Sequence, residues 1–187
     1  MKHHKRHVTK QALRPRNVIF IGRFQPFHLG HEQVIRELVR QLEKHGGKLT
    51  VGIGSANESR NARNPFTLQE RRKMLELALS GILHKITIVE VDDKYDNELW
   101  TKHVKTLGDF DAFVSTNRGV KQCLGKIGGL VKLEHPALLN RAEVQAKNVR
   151  LKKSKGENIA GFVHQRVAAY LDEIDAERII RESEAAG

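Results

Sequence analysis

The chain has 187 residues, a formal net charge of +11 and one cysteine, Cys123. That length suits one domain with a sizeable core, and a lone cysteine excludes an intrachain disulfide or a cysteine cluster for zinc. No apolar run approaches the length of a membrane span and no charged-then-apolar signal segment is visible, so a cytoplasmic protein without membrane association is expected.

The first sixteen residues, MKHHKRHVTKQALRPR, hold six Lys and Arg, no acid and no apolar period. They read as a basic, disordered arm with weak affinity for nucleic acid, ahead of a domain over 17–187. From Val18 to Ile21 runs a short apolar stretch ending at Gly22, as expected of a strand buried on both faces. The segment from His31 to His45 sets Val34, Ile35, Leu38, Val39 and Leu42 on one helical face, and Gly46-Gly47 stops it. Leu49 to Ile53 predicts the second strand. Thr67 and Glu70 have capping-box spacing and open a helix carrying Met74, Leu75, Ala78 and Leu79. Ile86 to Val91 predicts a third strand and Asp96 to Leu107 a helix. Ala112 to Ser115 and Leu130 to Leu133 are the fourth and fifth strands, around a short helix near 118–125. From about Asn148 onward the pattern is helical, with Phe162, Val163, Val167, Leu171, Ile174 and Ile179 facing inward.

Repeated βα units imply an α/β fold: a Rossmann-like, doubly wound, mostly parallel five-stranded sheet with C-terminal helices. Ligands bind such sheets beyond the carboxyl ends of the strands, where strand order reverses. The loop after the first strand reads Gly22-Arg23-Phe24-Gln25-Pro26-Phe27-His28-Leu29-Gly30-His31. It carries neither GxGxxG nor GxxxxGK[ST], so it is neither a dinucleotide fingerprint nor a P-loop. Instead two histidines stand three apart at the mouth of a helix, where both imidazoles can face one ligand. The helix start offers backbone N–H groups and a positive dipole end, Gly30 admits a phosphate to the backbone, and Arg23 adds a fork of donors. One histidine at a helix start is more often a cap. Two with Gly30 between them and Arg23 before them form a phosphate cradle.

The motif GRFQPFHLGH resembles the first motif of the HxGH nucleotidyltransferases, specifically the archaeal-type nicotinamide mononucleotide adenylyltransferases. GIGSANES at 52–59, RNPFT at 63–67 with Glu70-Arg71, DNELW at 96–100 and STN at 115–117 continue the resemblance over nearly the whole chain after the arm. It implies in-line attack of the nicotinamide mononucleotide phosphate on the α-phosphorus of ATP, giving NAD and pyrophosphate, with Mg2+ carried by ATP rather than by a protein metal site. Positioning and charge stabilisation are then the catalytic work. By the same resemblance His28, His31 and Arg23 are catalytic. Gly22, Phe24, Gly30, Arg63, Asn117, Lys147 and Arg150 join them around ATP, while Asp93, Asn97 and Trp100 hold the acceptor. Trp100 stacked on the cationic nicotinamide ring has a rival reading as a core tryptophan, and Asn117 has one as a turn former. The family forms assemblies, which implies a homo-oligomer.

One late motif departs from the pattern. Where the family has roughly I-S-x-T-x-x-R, this chain has Val144 to Arg150, with Gln145 at the Ser position and Lys147 at the Thr position. Arg150 is kept. Lys147 offers a point charge and Gln145 an amide donor in place of the two hydroxyls; alternatively the ATP site is impaired, or the donor or acceptor differs. Residues 118–155 hold ten Lys and Arg against Glu134 and Glu143 but no aromatic residue. That argues against a base-stacking surface there, and so against a nucleic-acid-binding protein built on this scaffold. A nucleotidyltransferase for another phosphate acceptor is the other alternative.

Overall fold

The computed structural model describes residues 15–115, 117–127, 131–132 and 144–186. Residues 1–14 of the predicted arm, and Leu130 and Leu133 at the ends of the predicted fifth strand, lie outside the described residues.

Five parallel strands form one sheet in the order β3-β2-β1-β4-β5. They are β1 (Asn17–Gly22), β2 (Lys48–Gly54), β3 (Ile86–Val91), β4 (Ala112–Val114) and the two-residue β5 (Val131–Lys132). The chain lays β1, β2 and β3 outward in one direction, then crosses back to place β4 on the other side of β1. The order therefore reverses between β1 and β4, which marks where a ligand belongs.

Four helices follow the first four strands: α1 (Leu29–Glu43), α2 (Leu68–Ala78), α3 (Asn97–Thr106) and α4 (Arg118–Leu124). The alternation of side chains along β1 explains how the layers form. Val18 and Phe20 point into a large core with Val34, Ile35 and Leu38 of α1 and Met74 and Leu75 of α2. Ile19 and Ile21 point into a smaller core with Val104 of α3 and Leu124 of α4. Both faces of the strand are dry, so its sequence is a continuous apolar run rather than an alternating one.

The box at Thr67 forms as its spacing predicts. The Glu70 N–H donates to Thr67 Oγ1 at 3.2 Å, and the Thr67 N–H donates to Glu70 Oε2 at 2.8 Å. Helix α1 starts two residues earlier than the apolar period suggests, because the period begins only where the core does.

The helical pattern expected from about Asn148 onward is formed by three helices: α5 (Ala146–Ser154), α6 (Gln165–Glu173) and α7 (Ala176–Ala185). Gly156, at φ +72°, ends the first, and Asp175, at φ 54°, turns the chain between the other two. Phe162 and Val163 therefore lie in a connecting segment. Val163, Val167, Leu171 and Ile179 are buried as expected, while Phe162 and Ile174 are only partly so.

Pro15 and Arg16 are tied to the domain. The Arg16 N–H donates to the Asp111 carboxylate at 3.0 Å, and the Pro15 carbonyl meets His45 Nε2 at 2.9 Å.

Candidate active site

A cleft of about 930 Å³ opens at the carboxyl ends of the strands. The loop after β1 brings Gly22, Arg23, Phe24, His28, Gly30 and His31 to it. The loop after β2 brings Arg63, and the segment from β3 into α3 brings Asp93, Asn97 and Trp100. Asn117 comes from the end of β4, and Lys147 and Arg150 from the start of α5. Every residue singled out in the sequence thus lines one cleft.

The two histidines are close partners. His28 is the N-cap of α1, and its ring stacks on that of His31 with centroids 3.6 Å apart and planes at 22°. The His28 N–H donates to His31 Nδ1 at 3.3 Å. Phe24 meets the His31 ring edge-on at 4.9 Å. A Cβ on Gly30 would lie 3.0 Å from His28 Cε1, so the glycine makes room for the stacked imidazole. Phe24 itself sits at φ 53°, and a Cβ on Gly22 would come within 2.6 Å of its ring. The loop is thus folded tightly back on the strand. Burial holds the His28 imidazole down at about 4, so it is neutral at pH 7.

Among the first helical residues, the Leu29 N–H donates to the Phe162 carbonyl at 2.9 Å, and those of His31 and Glu32 both donate to the His28 carbonyl. The N–H of Gly30 alone in that turn has no partner among the described residues, and Gly30 lines the cleft.

The cleft is strongly positive. Arg23, Arg63, Lys94, Lys147 and Arg150 line it, against Asp93 as the one carboxylate among its described lining residues. Arg150 Nη1 donates to the Gln25 carbonyl at 2.7 Å, joining α5 to the histidine loop. Its guanidinium is pushed below the usual arginine range by burial and then by Arg23. The N-cap of α5 is Gln145, which makes no side-chain cap. Lys147 stands in that first turn, where a cation opposes the helix dipole unless an anion joins it.

Asn57 clamps the backbone of Asp93. The Asp93 N–H donates to Asn57 Oδ1 at 2.7 Å, and Asn57 Nδ2 donates to the Asp93 carbonyl at 3.2 Å. Trp100 is half-buried. It packs against the core of Ile19 and Ile21 and also lines the cleft. Asn117 caps α4 by accepting from the Val120 N–H at 3.1 Å, which is the turn-forming role, while still facing the cleft.

Sequence reasoning missed Arg71. Its guanidinium is fully buried and donates to the carbonyls of Thr67, Arg23, Gly54 and Ser55 at 2.6–3.2 Å. One side chain thereby joins the loops after β1 and β2 to the start of α2. Burial, then the charge of Arg23, lowers it to about 10. A signal existed, because positions 71, 74, 75 and 78 share one helix face and the last three are core. Gln25 was also missed. Its amide bonds both backbone groups of Phe66, at 3.0 and 2.9 Å, across 41 residues of sequence, and nothing local announces that.

Residues 19–153 match the cytidylyltransferase-like family. The chain is 36% identical over 169 residues to a nicotinamide-nucleotide adenylyltransferase of Archaeoglobus fulgidus, covering 87% of this chain and 94% of that protein. It is 34% identical over 161 residues to the like-named protein of Methanolobus tindarius, covering 86% and 90%. Among solved structures, a bifunctional NMN adenylyltransferase/ADP ribose pyrophosphatase from Francisella tularensis superposes with a TM-score of 0.69 at 21% identity. The match covers 91% of this chain and 53% of that one, so the chain spans about half of the bifunctional protein. A nicotinic acid mononucleotide adenylyltransferase from Plasmodium falciparum has a TM-score of 0.60 at 14% identity, covering 88% and 98%. At these identities the structures speak for the fold.

Proposed function

The chain belongs to the cytidylyltransferase-like family, and from that premise we propose that it is an adenylyltransferase moving AMP from ATP to nicotinamide mononucleotide, giving NAD and pyrophosphate. The observation that carries the reading is the cleft itself. A stacked histidine pair at a helix start, a cationic rim and a half-buried tryptophan meet at the point where strand order reverses.

The acceptor phosphate attacks the α-phosphorus in line, the bond to the β-phosphate breaks, and pyrophosphate leaves. A phosphate monoester is already anionic at neutral pH, so the attack needs no base. The protein's work is to hold two anions together and to balance charge. His28, His31 and the start of α1 face the reacting phosphates, with Arg23 beside them. Arg63, Lys147 and Arg150 take the rest of the triphosphate, which arrives as its magnesium complex. Lys147 supplies a charge, and Gln145 an amide, where hydroxyls stand in the resembling family. Asp93 and Asn97 hold the acceptor while the indole of Trp100 covers its cationic ring. Assembly as a homo-oligomer and a cytoplasmic location belong to the same proposal. No helix among the described residues is long and apolar enough to cross a membrane.

The test is incubation with ATP, magnesium and nicotinamide mononucleotide, following NAD by a coupled dehydrogenase and pyrophosphate in parallel. Pyrophosphate release with another phosphate acceptor, and no NAD from nicotinamide mononucleotide, would leave the nucleotidyltransferase and remove the acceptor.

A further inference from the structure

We propose that Gln25 is a positioning residue for the donor site: its side-chain amide holds the end of the loop after β2 against the histidine loop and so sets the reach of Arg63 to the phosphates of ATP. This rests on the adenylyl-transfer reading above and assigns a role within its donor site.

Gln25 is only 2% exposed, although its loop lines the cleft. Its amide pairs with Phe66 much as one strand pairs with the next. Gln25 Nε2 donates to the Phe66 carbonyl at 3.0 Å, and the Phe66 N–H donates to Gln25 Oε1 at 2.9 Å. The two backbone groups also fix which end of the amide is which. The Phe66 ring is fully buried in the large core, so packing already anchors that residue. What the paired bonds add is direction, because hydrogen bonds are angular where apolar contact is not.

From Phe66 back to Arg63 the chain is stiff. Asn64 and Pro65 are both buried. Asn61 Oδ1 accepts the N–H of Arg63 at 3.1 Å and that of Asn64 at 2.9 Å. The Pro65 carbonyl accepts from Arg60 Nη1 at 2.9 Å. Residues 61–66 therefore move as one bonded turn, and Arg63 reaches the cleft from it. A shift at Phe66 becomes a shift at Arg63.

The same residue is tied on its other side. Its carbonyl accepts from Arg150 Nη1 at 2.7 Å, and Arg23 lies two residues before it. Gln25 thus stands between three cations that arrive on three separate elements. Like charges spread apart unless the backbone holds them, and the lowered titration of Arg150 beside Arg23 reflects that repulsion. Holding them in place before ATP arrives spares the reaction the cost of gathering them. Arg71 makes a second tie between the two loops through the Thr67, Arg23 and Gly54 carbonyls. Loss of the Gln25 amide therefore loosens one end of the grip without parting the loops.

The test is a double-mutant cycle read by the affinity of a non-hydrolysable ATP analogue with magnesium, measured by calorimetry on the full chain. Gln25→Met keeps the length of the side chain and removes both bonds. It should raise Kd for the analogue about tenfold, and Arg63→Ala should do at least as much. In the Arg63→Ala background, Gln25→Met should change Kd by less than about twofold, because the group it positions is gone. The melting temperatures of the same four proteins should instead show independent losses, which is what separates positioning from packing. Gln25→Asn keeps the amide but falls one methylene short of Phe66, and should show the same coupling if Gln25→Met does not fold. Kd effects that multiply in the double variant would mean that Gln25 acts without Arg63 and would overturn the proposal. So would a lower melting temperature with an unchanged Kd. An analogue that fails to bind the parent removes the donor site itself, and this role with it. The readout does not depend on which phosphate is the acceptor.

Discussion

Replacing Trp100 by alanine should raise the Michaelis constant for nicotinamide mononucleotide while leaving that for ATP nearly unchanged. The indole has two environments. One side rests on the core of Ile19, Ile21 and Val104, and the other lines the cleft beside Asp93 and Asn97. Only the cleft side is open to an acceptor. A partly desolvated cationic ring over an indole face contributes about 1–2 kcal/mol. At about 1.4 kcal/mol per factor of ten, that is roughly a 5- to 30-fold rise in KM. The cations assigned to the triphosphate come from other elements, so KM for ATP should move less than about twofold. Trp100→Phe keeps an aromatic face and the core contact, and should show a smaller rise with a near-parental melting temperature. The assay is NAD formation at saturating magnesium–ATP over a range of nicotinamide mononucleotide. Trp100 is the only tryptophan in the chain, so fluorescence quenching that saturates with the acceptor can be assigned to it directly. Equal rises in both constants, or turnover of nicotinamide mononucleotide without quenching, would show that the indole is a packing residue and that the acceptor lies elsewhere.

Four further outcomes are expected. His31→Ala should lower kcat by about two to three powers of ten with an intact melting transition, because a donor aimed at developing charge is lost; near-normal turnover refutes the phosphate cradle. Arg71→Met strips four buried carbonyls of their shared donor and should cost about 3 kcal/mol or more in chemical denaturation, so a change below about 1 kcal/mol would show that the loops hold without it. Stability should also fall in acid through His28. Its pKa drops from 6.5 to about 4 on folding, so below pH 6.5 the unfolded chain binds the extra proton. The contribution is complete above pH 6.5 and lost toward pH 4, by about 2 kcal/mol at pH 5, and the loss should be absent from His28→Gln when the two denaturation curves are compared across pH. Deleting residues 1–14 should leave catalysis unchanged and weaken binding to DNA or RNA at low salt, five of the arm's six cations being removed; a large fall in ATP affinity would instead put the arm in the active site.

Much of this molecule is decided by neighbours in sequence, and that part was legible. The continuous apolar run of β1, the capping box at Thr67 and the Asp96 start of α3 each depend on residues within one turn or one strand of each other. Because βα units place their loops at one end of the sheet, reading the loop after β1 was enough to find the histidine pair. The late motif around Lys147 and Arg150 was found by its likeness to a family, since nothing local says that α5 reaches the cleft. Tertiary structure decided the rest. Arg150 bonds Gln25 across 125 residues, Gln25 bonds Phe66 across 41, and Arg71 gathers carbonyls from segments up to 48 residues away. A charge can be buried there only because backbone oxygens from separate loops converge on it, and convergence is not written in any window of sequence. The protonation state of His28 has the same origin. The residue type supplies a group that can titrate near neutrality, and the packing around its ring, which only the folded chain provides, moves that titration out of the working range.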